Sequence, residues 1–357
     1  MTVPVAAPTR LGAEEADAVQ RAAAEVIRGD DWVLGGPVAR FEDEFAAYLG
    51  GQAGSVVGVG NGTDALVVAL TALALPAGAG VLVAADEGGY AATAARLADL
   101  VPVAIDSGPD GPTAEMAEAG LAAGVRALVV THLHGNAVAM SGLDRWRRER
   151  GLLLVEDCAQ AHGLRVDGQH VGQRADASTF SFYPTKNLGA VGDGGAVWFA
   201  DPEAAERARA LRQYGWGARY RVEHVGGRNT RLDPIQAAIL SARLPFLDER
   251  NARRRSIAAR YADRVELLGD MTTTVAHHAV ALSDRRDELA AALQERGIGT
   301  AVHYPWLVTE MPGLGMSAAH VPEAAYRRDR ILSLPCFPEM TSLEVDTVCA
   351  ALEELGR

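Results

Sequence analysis

Short apolar runs alternate with helix-like segments along most of this chain, and no other feature limits its fold as much. Strands that alternate with helices return by crossover connections, so the pattern predicts an α/β fold: a mostly parallel sheet with helices on its faces. Strands are expected at residues 56–59, 81–84, 103–105, 127–131, 152–156, 178–183 and 196–199. Helices are expected at residues 13–27, 41–49, 63–75, 90–100, 112–123 and 144–151. Gly50-Gly51 closes the second of these helices and Pro76 the third.

The pattern changes in the last third. A helical stretch begins after Pro234 and continues past Pro245 into an arginine-rich run at residues 250–260. Acidic residues interleave with that run, so it reads as a solvated helix face and not as a nucleic-acid patch. A strand near 276–282, a helix at 284–296, a strand near 300–304 and a helix at 343–355 then suggest a small α+β unit. Single cores stop growing at roughly 250–300 residues. The 357 residues therefore divide into a large domain with an N-terminal arm, 1–245, and a smaller C-terminal domain, 246–357.

A net charge of −12 disfavours bulk attraction to nucleic acid or to an anionic membrane, and neither is expected as a partner. The first ten residues lack the basic start and apolar stretch of a signal peptide, and no apolar run approaches the ~20 residues of a membrane span. Three widely spaced cysteines, Cys158, Cys336 and Cys349, suit free thiols in a reducing cytoplasm and give no metal-binding pattern.

Three segments carry chemistry. The first is Gly60-Asn61-Gly62-Thr63-Asp64, a Gly-rich turn that opens a helix. Its free N–H groups and the Thr63 hydroxyl could seat a phosphate, though a plain strand–helix turn reads the same way. It also mimics a dinucleotide turn, because Gly58-Val59-Gly60 follows a strand and Asp86 ends the next one. The second is Glu156-Asp157 at the end of an apolar strand, where a buried carboxylate needs a positive partner such as a protonated pyridine nitrogen. Taken alone, Asp157 is better explained as a helix cap. The third is Ser181-Phe182-Tyr183-Pro184-Thr185-Lys186, followed by Gly192-Asp193-Gly194-Gly195. A lysine on such a loop can reach a cleft, and burial would supply the neutral amine that a Schiff base needs. Taken alone, Lys186 is a surface lysine. The order of the three is the stronger signal. A phosphate seat, an acidic strand end and a lysine with a serine just before it are the parts that hold pyridoxal 5'-phosphate (PLP).

The sequence resembles the nucleotide-sugar aminotransferases, the DegT/StrS group of fold-type I PLP enzymes. The likeness covers nearly the whole chain. It runs through Gly35-Gly36-Pro37, Gly60 to Leu66, Thr131-His132-Leu133-His134-Gly135-Asn136, Glu156-Asp157, Ala159-Gln160 and Phe180 to Gly195. It continues through Leu211 to Trp216, Asn229-Thr230-Arg231-Leu232-Asp233, His303-Tyr304-Pro305 and Leu332-Ser333-Leu334-Pro335.

The resemblance implies the aspartate aminotransferase type I fold. It also implies roles for single residues. Lys186 carries PLP as a Schiff base and shuttles the proton. Asp157 pairs with the pyridinium nitrogen, and Gln160 meets the cofactor's phenolic oxygen. Gly62, Thr63 and Ser181 hold the phosphate, joined by Asn229 of a neighbouring subunit, so the sites would be shared in a homodimer. Tyr90 stands where an aromatic ring stacks on the pyridine, and His303 and Tyr304 border the substrate. The reaction implied moves an amino group from an amino acid, glutamate, to a keto-deoxysugar on a nucleotide, dTDP, at C3 or C4; the Tyr214-Gly215-Trp216 and Asn229-Thr230-Arg231 segments resemble the group that acts at C3. Three alternatives stand beside it, one of them a non-catalytic relative that serves as a regulator or scaffold. Some relatives that dehydrate sugars have His at the lysine position, and a nicotinamide dehydrogenase built on Gly58-Val59-Gly60 and Asp86 would leave Asp157, Ser181 and Lys186 without roles.

Overall fold

The computed structural model describes residues 2–355. Its centre is a sheet of seven strands: β1 (Val56–Val59), β2 (Gly80–Ala84), β3 (Val101–Ile105), β4 (Val125–Thr131), β5 (Leu153–Asp157), β6 (Ala177–Ser181) and β7 (Gly195–Phe199). The order across the sheet is β1-β7-β6-β5-β4-β2-β3, and the pairs from β6 through β3 are all parallel. Only β7 runs the other way, wedged between β1 and β6. The expected α/β architecture is present, and each strand reads as a buried apolar run because helices cover both faces.

The two faces are packed differently. One is lined by small side chains, Ala65, Ala69, Ala91, Ala94, Ala204 and Ala208 among them, which lets helices lie close to the sheet. The other is aromatic: Phe41, Phe45, Phe180 and Phe182 meet edge to face or stacked, with ring centroids 4.9–5.6 Å apart. The helix Gly35–Leu49, which supplies two of these rings, begins six residues before its expected start.

Several expected helices end elsewhere, and in two places the backbone shows why. The helix after β1 is Gly62–Ala72, not 63–75: Ala74 adopts a left-handed φ of 53°, so the chain has already left the helix before Pro76. Pro245 interrupts the long helical pattern. Having no N–H to donate, it sits in a 3-10 turn, Leu244–Phe246, between the helices Pro234–Arg243 and Leu247–Ala262. We propose the domain boundary at this turn.

Past it, β8 (Ala279–Leu282) pairs antiparallel with β9 (Ile331–Leu334), a strand that periodicity did not indicate. The expected strand near 300–304 does not form. That segment touches β9 through one bridge, Ala301 to Ser333, and then turns toward the large sheet. The core here is separate, built around Tyr261, Leu293, Leu334, Val348 and Leu352. Val3 is fully buried in it, held by reciprocal backbone bonds with Gly297 and Gly299, so the N-terminal arm crosses onto the C-terminal unit. No helix among the described residues is long and apolar enough to cross a membrane.

Candidate active site

Because β1, β4, β5 and β6 are mutually parallel in direction, their carboxyl ends lie on one edge. Thr131 pairs with Asp157, Asp157 with Thr179, and both Val59 and Ser181 pair with Gly195. Ligands bind outside the carboxyl ends of such strands. A cleft of about 450 Å³ opens there, lined by Gly62, Thr63, Tyr90, Asp157, Gln160, Ser181, Lys186, His303 and Tyr304. The structure thus brings together all the expected site residues except Asn229. Asn229 is exposed in a separate depression beside Asn61 and Asp64.

The turn after β1 is fixed by its own side chain. Asn61 Oδ1 accepts the Asp64 N–H at 2.8 Å, capping the helix. Gly62 and Thr63 line the cleft, and no hydrogen bond among the described residues takes up their N–H groups. Gly62 is packed so closely against Ser181 that a side chain would not fit between them. The result is a helix N-terminus with a hydroxyl beside it, a donor set that suits a phosphate.

Asp157 is buried at the end of β5. Its Oδ1 accepts the Ala159 N–H at 3.0 Å and faces the Thr179 hydroxyl at 3.4 Å. Burial raises its pKa, while the Ala159 N–H, Lys186 and His132 oppose the shift. Lys186 projects from a turn closed by its own N–H to the Tyr183 carbonyl at 2.8 Å. Burial pushes its amine down to about 8, and Asp157 pulls it partly back. A carboxylate that needs a cation and an amine held near neutrality therefore share one cleft.

Gln160 is oriented from both ends. Its Oε1 accepts the His134 N–H at 2.6 Å and its Nε2 donates to the Tyr304 hydroxyl at 3.0 Å. Tyr90 is 47% exposed and meets the Tyr304 ring edge-on at 5.7 Å. His303 accepts or donates at the Ser333 hydroxyl, 2.9 Å away, and stacks on His278 at 4.1 Å.

Sequence reasoning missed four groups. His134, His277 and His278 join His303 in an array beside Lys186, all held below the usual imidazole range, chiefly by burial. Glu87 lines the cleft with its pKa raised by burial to about 7, although the Ala91 and Ala92 N–H groups bind its carboxylate. The signals for the first group were the adjacent pair His277-His278 and the place of His134 in the Thr131 to Asn136 run. Nothing local marks Glu87 as buried, and the neighbouring Gly88 is packed against the distant Tyr304 ring.

The sequence model of the DegT/DnrJ/EryC1/StrS aminotransferase family matches residues 13–353. The chain belongs to that family. This aminotransferase is 38% identical over 346 residues to the dTDP-3-amino-3,4,6-trideoxy-alpha-D-glucose transaminase of Streptomyces venezuelae, covering 93% of this chain and 90% of the relative. It is 36% identical over 356 residues to a pleiotropic regulatory protein of Geobacillus stearothermophilus, covering 95% and 94% of the two chains. Among solved structures it superposes on S. venezuelae DesV in complex with a ketimine intermediate with a TM-score of 0.94, at 35% identity, covering 100% and 99% of the two chains. The aminotransferase has the PLP-dependent transferase fold and uses PLP. The donor set fits: a helix N-terminus and Ser181 for the phosphate, Asp157 for a ring nitrogen and the Lys186 amine for the aldehyde. The fold also disposes of the dehydrogenase alternative. β1 is an edge strand paired only with antiparallel β7, and Asp86 is engaged by Arg327.

Proposed function

We propose that this aminotransferase moves the amino group of L-glutamate to C3 of a keto-deoxysugar carried on dTDP. The observation that carries the reading is the convergence of Lys186 and Asp157 in one cleft with the Gly62–Ser181 cradle. The sugar and carbon follow the S. venezuelae relative, whose name specifies a dTDP-linked 3-amino sugar. Bound PLP supplies an electron sink for the carbanion at the reacting carbon.

In this reading the chain does the rest. Lys186 holds the cofactor and, as a neutral amine, moves the proton at the donor's α-carbon. Asp157 keeps the ring nitrogen protonated, and Thr179 and Ala159 hold the Asp157 carboxylate in place. Gly62, Thr63 and Ser181 fix the phosphate, Tyr90 covers the ring, and Gln160, held by His134, reaches the phenolic oxygen. His303 and Tyr304 border the sugar. Lys186, where sugar-dehydrating relatives have His, favours amino transfer over dehydration.

The protein works as a homodimer with shared sites in this proposal. Asn229 lies outside its own cleft, and the same segment exposes Tyr220, Val222 and Val225 to solvent. Exposed apolar side chains in such a group suit a partner surface. Three free, buried cysteines support a cytoplasmic location.

Two experiments test the proposal. Incubation of the PLP-loaded enzyme with glutamate and dTDP-linked 3-keto or 4-keto deoxysugars, followed by NMR of the product, should show amination at C3. A 4-amino or deoxygenated product overturns that assignment. Mixing Lys186→Ala with impaired Asn229→Ala subunits should restore partial activity, because one site of the mixed dimer carries neither lesion. No restoration in mixed dimers confirmed by mass refutes shared sites.

A further inference from the structure

Lys186 faces two cavities. Behind the cleft lies a second space of about 200 Å³, and Lys186, His277, His278 and His303 line both. The N-terminal arm closes its outer side through residues 5–8, and Arg243, Arg250, Arg254 and Glu339 line its wall.

The charges of this wall do not balance. Five arginines are buried among the described residues: Arg147, Arg212, Arg243, Arg254 and Arg327. Four have carboxylate partners. Arg147 pairs with Asp144 and Asp176, Arg212 with Glu42, Arg243 with Glu15, and Arg327 with Asp86. Arg254 has none within 4.0 Å among the described residues. It is 6% exposed, and among the described residues its Nη1 donates only to the carbonyls of His277 and Cys336 and its buried Nε has no partner. The neighbouring Arg250 also has an unpartnered buried Nε, its Nη1 being shared between Glu15 and Glu339. Three guanidinium groups thus face two carboxylates. A buried cation without a counterion is costly, and carbonyl dipoles offset that only in part. A planar carboxylate entering the cavity would supply both the missing charge and acceptors for the guanidinium donors.

We propose that this second cavity is a carboxylate subsite, in which Arg254, flanked by Arg250 and Arg243, receives the distal carboxylate of a dicarboxylic amino donor whose amino group meets the cofactor at Lys186. This deepens the transaminase reading and rests on it for the donor. Arg254 is a donor-binding residue here, and the subsite would give glutamate its advantage over uncharged amino acids of the same length.

The test uses glutarate, a dicarboxylate without an amino group, titrated calorimetrically into the PLP-loaded enzyme, with pentanoate as the monocarboxylate control. Glutarate is expected to bind more tightly than pentanoate. Arg254→Met should weaken glutarate about 10- to 100-fold, the loss typical of a charge-assisted bond, and Arg254→Lys should restore part of it. Because Arg254 also ties two carbonyls, a second variant guards against misfolding. Ala6→Trp adds bulk at an exposed position on the cavity wall and should exclude glutarate while circular dichroism stays unchanged. Glutarate binding that ignores both variants, or equal binding of pentanoate, overturns the subsite. Single turnovers with glutamate and norvaline separate the two readings. If glutamate and norvaline are deaminated equally well and Arg254→Met changes neither, the subsite fails and the transaminase reading stands. If glutarate binds through Arg254 but no amino acid is deaminated, the transaminase reading and the donor assignment fail together.

Discussion

A Cβ placed on Gly62 would lie 2.6 Å from the Cβ of Ser181. The two residues come from different βα and ββ connections, yet both lie at strand ends that pair with Gly195 or follow such an end. Gly62→Ala must therefore push the helix N-terminus away from the serine. The expected outcome is a folded protein whose PLP affinity falls about tenfold or more, the loss of one charge-assisted bond. Equilibrium dialysis of PLP measures it, and unchanged affinity would show that the phosphate sits elsewhere.

Lys186 should control capture of the cofactor through its protonation. With the amine near 8 in the folded protein, the neutral fraction grows as pH rises toward that value and then levels. The rate of PLP capture by the cofactor-free protein should rise about tenfold per pH unit below 8 and flatten above it. The linkage has a matching sign. The folded pKa lies below the ordinary value of 10.5, so the unfolded chain binds more protons between about 8 and 10.5, and this group's contribution to stability rises with pH across that window. Borohydride reduction and peptide mapping should find the label on Lys186. A pH-independent capture rate contradicts the assignment.

Asp157 should act through charge. Asp157→Asn keeps the shape and can still accept the Ala159 N–H, but it cannot hold a proton on a pyridine nitrogen. PLP should remain bound while turnover drops roughly 10²-fold or more, as for other positioned electrostatic groups. Steady-state rates at equal PLP occupancy give the answer, and wild-type turnover would reduce Asp157 to a structural role.

Glu87 should make stability depend on pH. Its pKa is raised from 4.5 to about 7, so the folded protein binds more protons in that window and this contribution is lost as pH rises through it. Glu87→Gln removes the titration. Relative to wild type, the variant should gain about 3 kcal/mol between pH 4.5 and 8, read from urea unfolding at both values. A constant difference would mean that the carboxylate stays ionised throughout.

The sequence by itself determined the architecture and the family, and it singled out Lys186 and Asp157 as candidate reacting groups. These depend on local pattern: alternating apolar runs, a Gly-rich turn that opens a helix, an acidic strand end, and a serine five residues before a lysine. Such features act over one turn or one strand, so a single chain shows them directly. It did not reveal the antiparallel β7, the loop at Ala301 in place of a strand, or β9, because strand order and pairing are settled between distant segments. The same holds within the site. Gln160 is held by His134 and Tyr304, 26 and 144 positions away. The histidine array, the raised Glu87 and the unpaired Arg254 likewise arise only where remote segments exclude water together. Charge and burial at those positions are properties of the packed neighbourhood, and only the tertiary structure decides which neighbours meet.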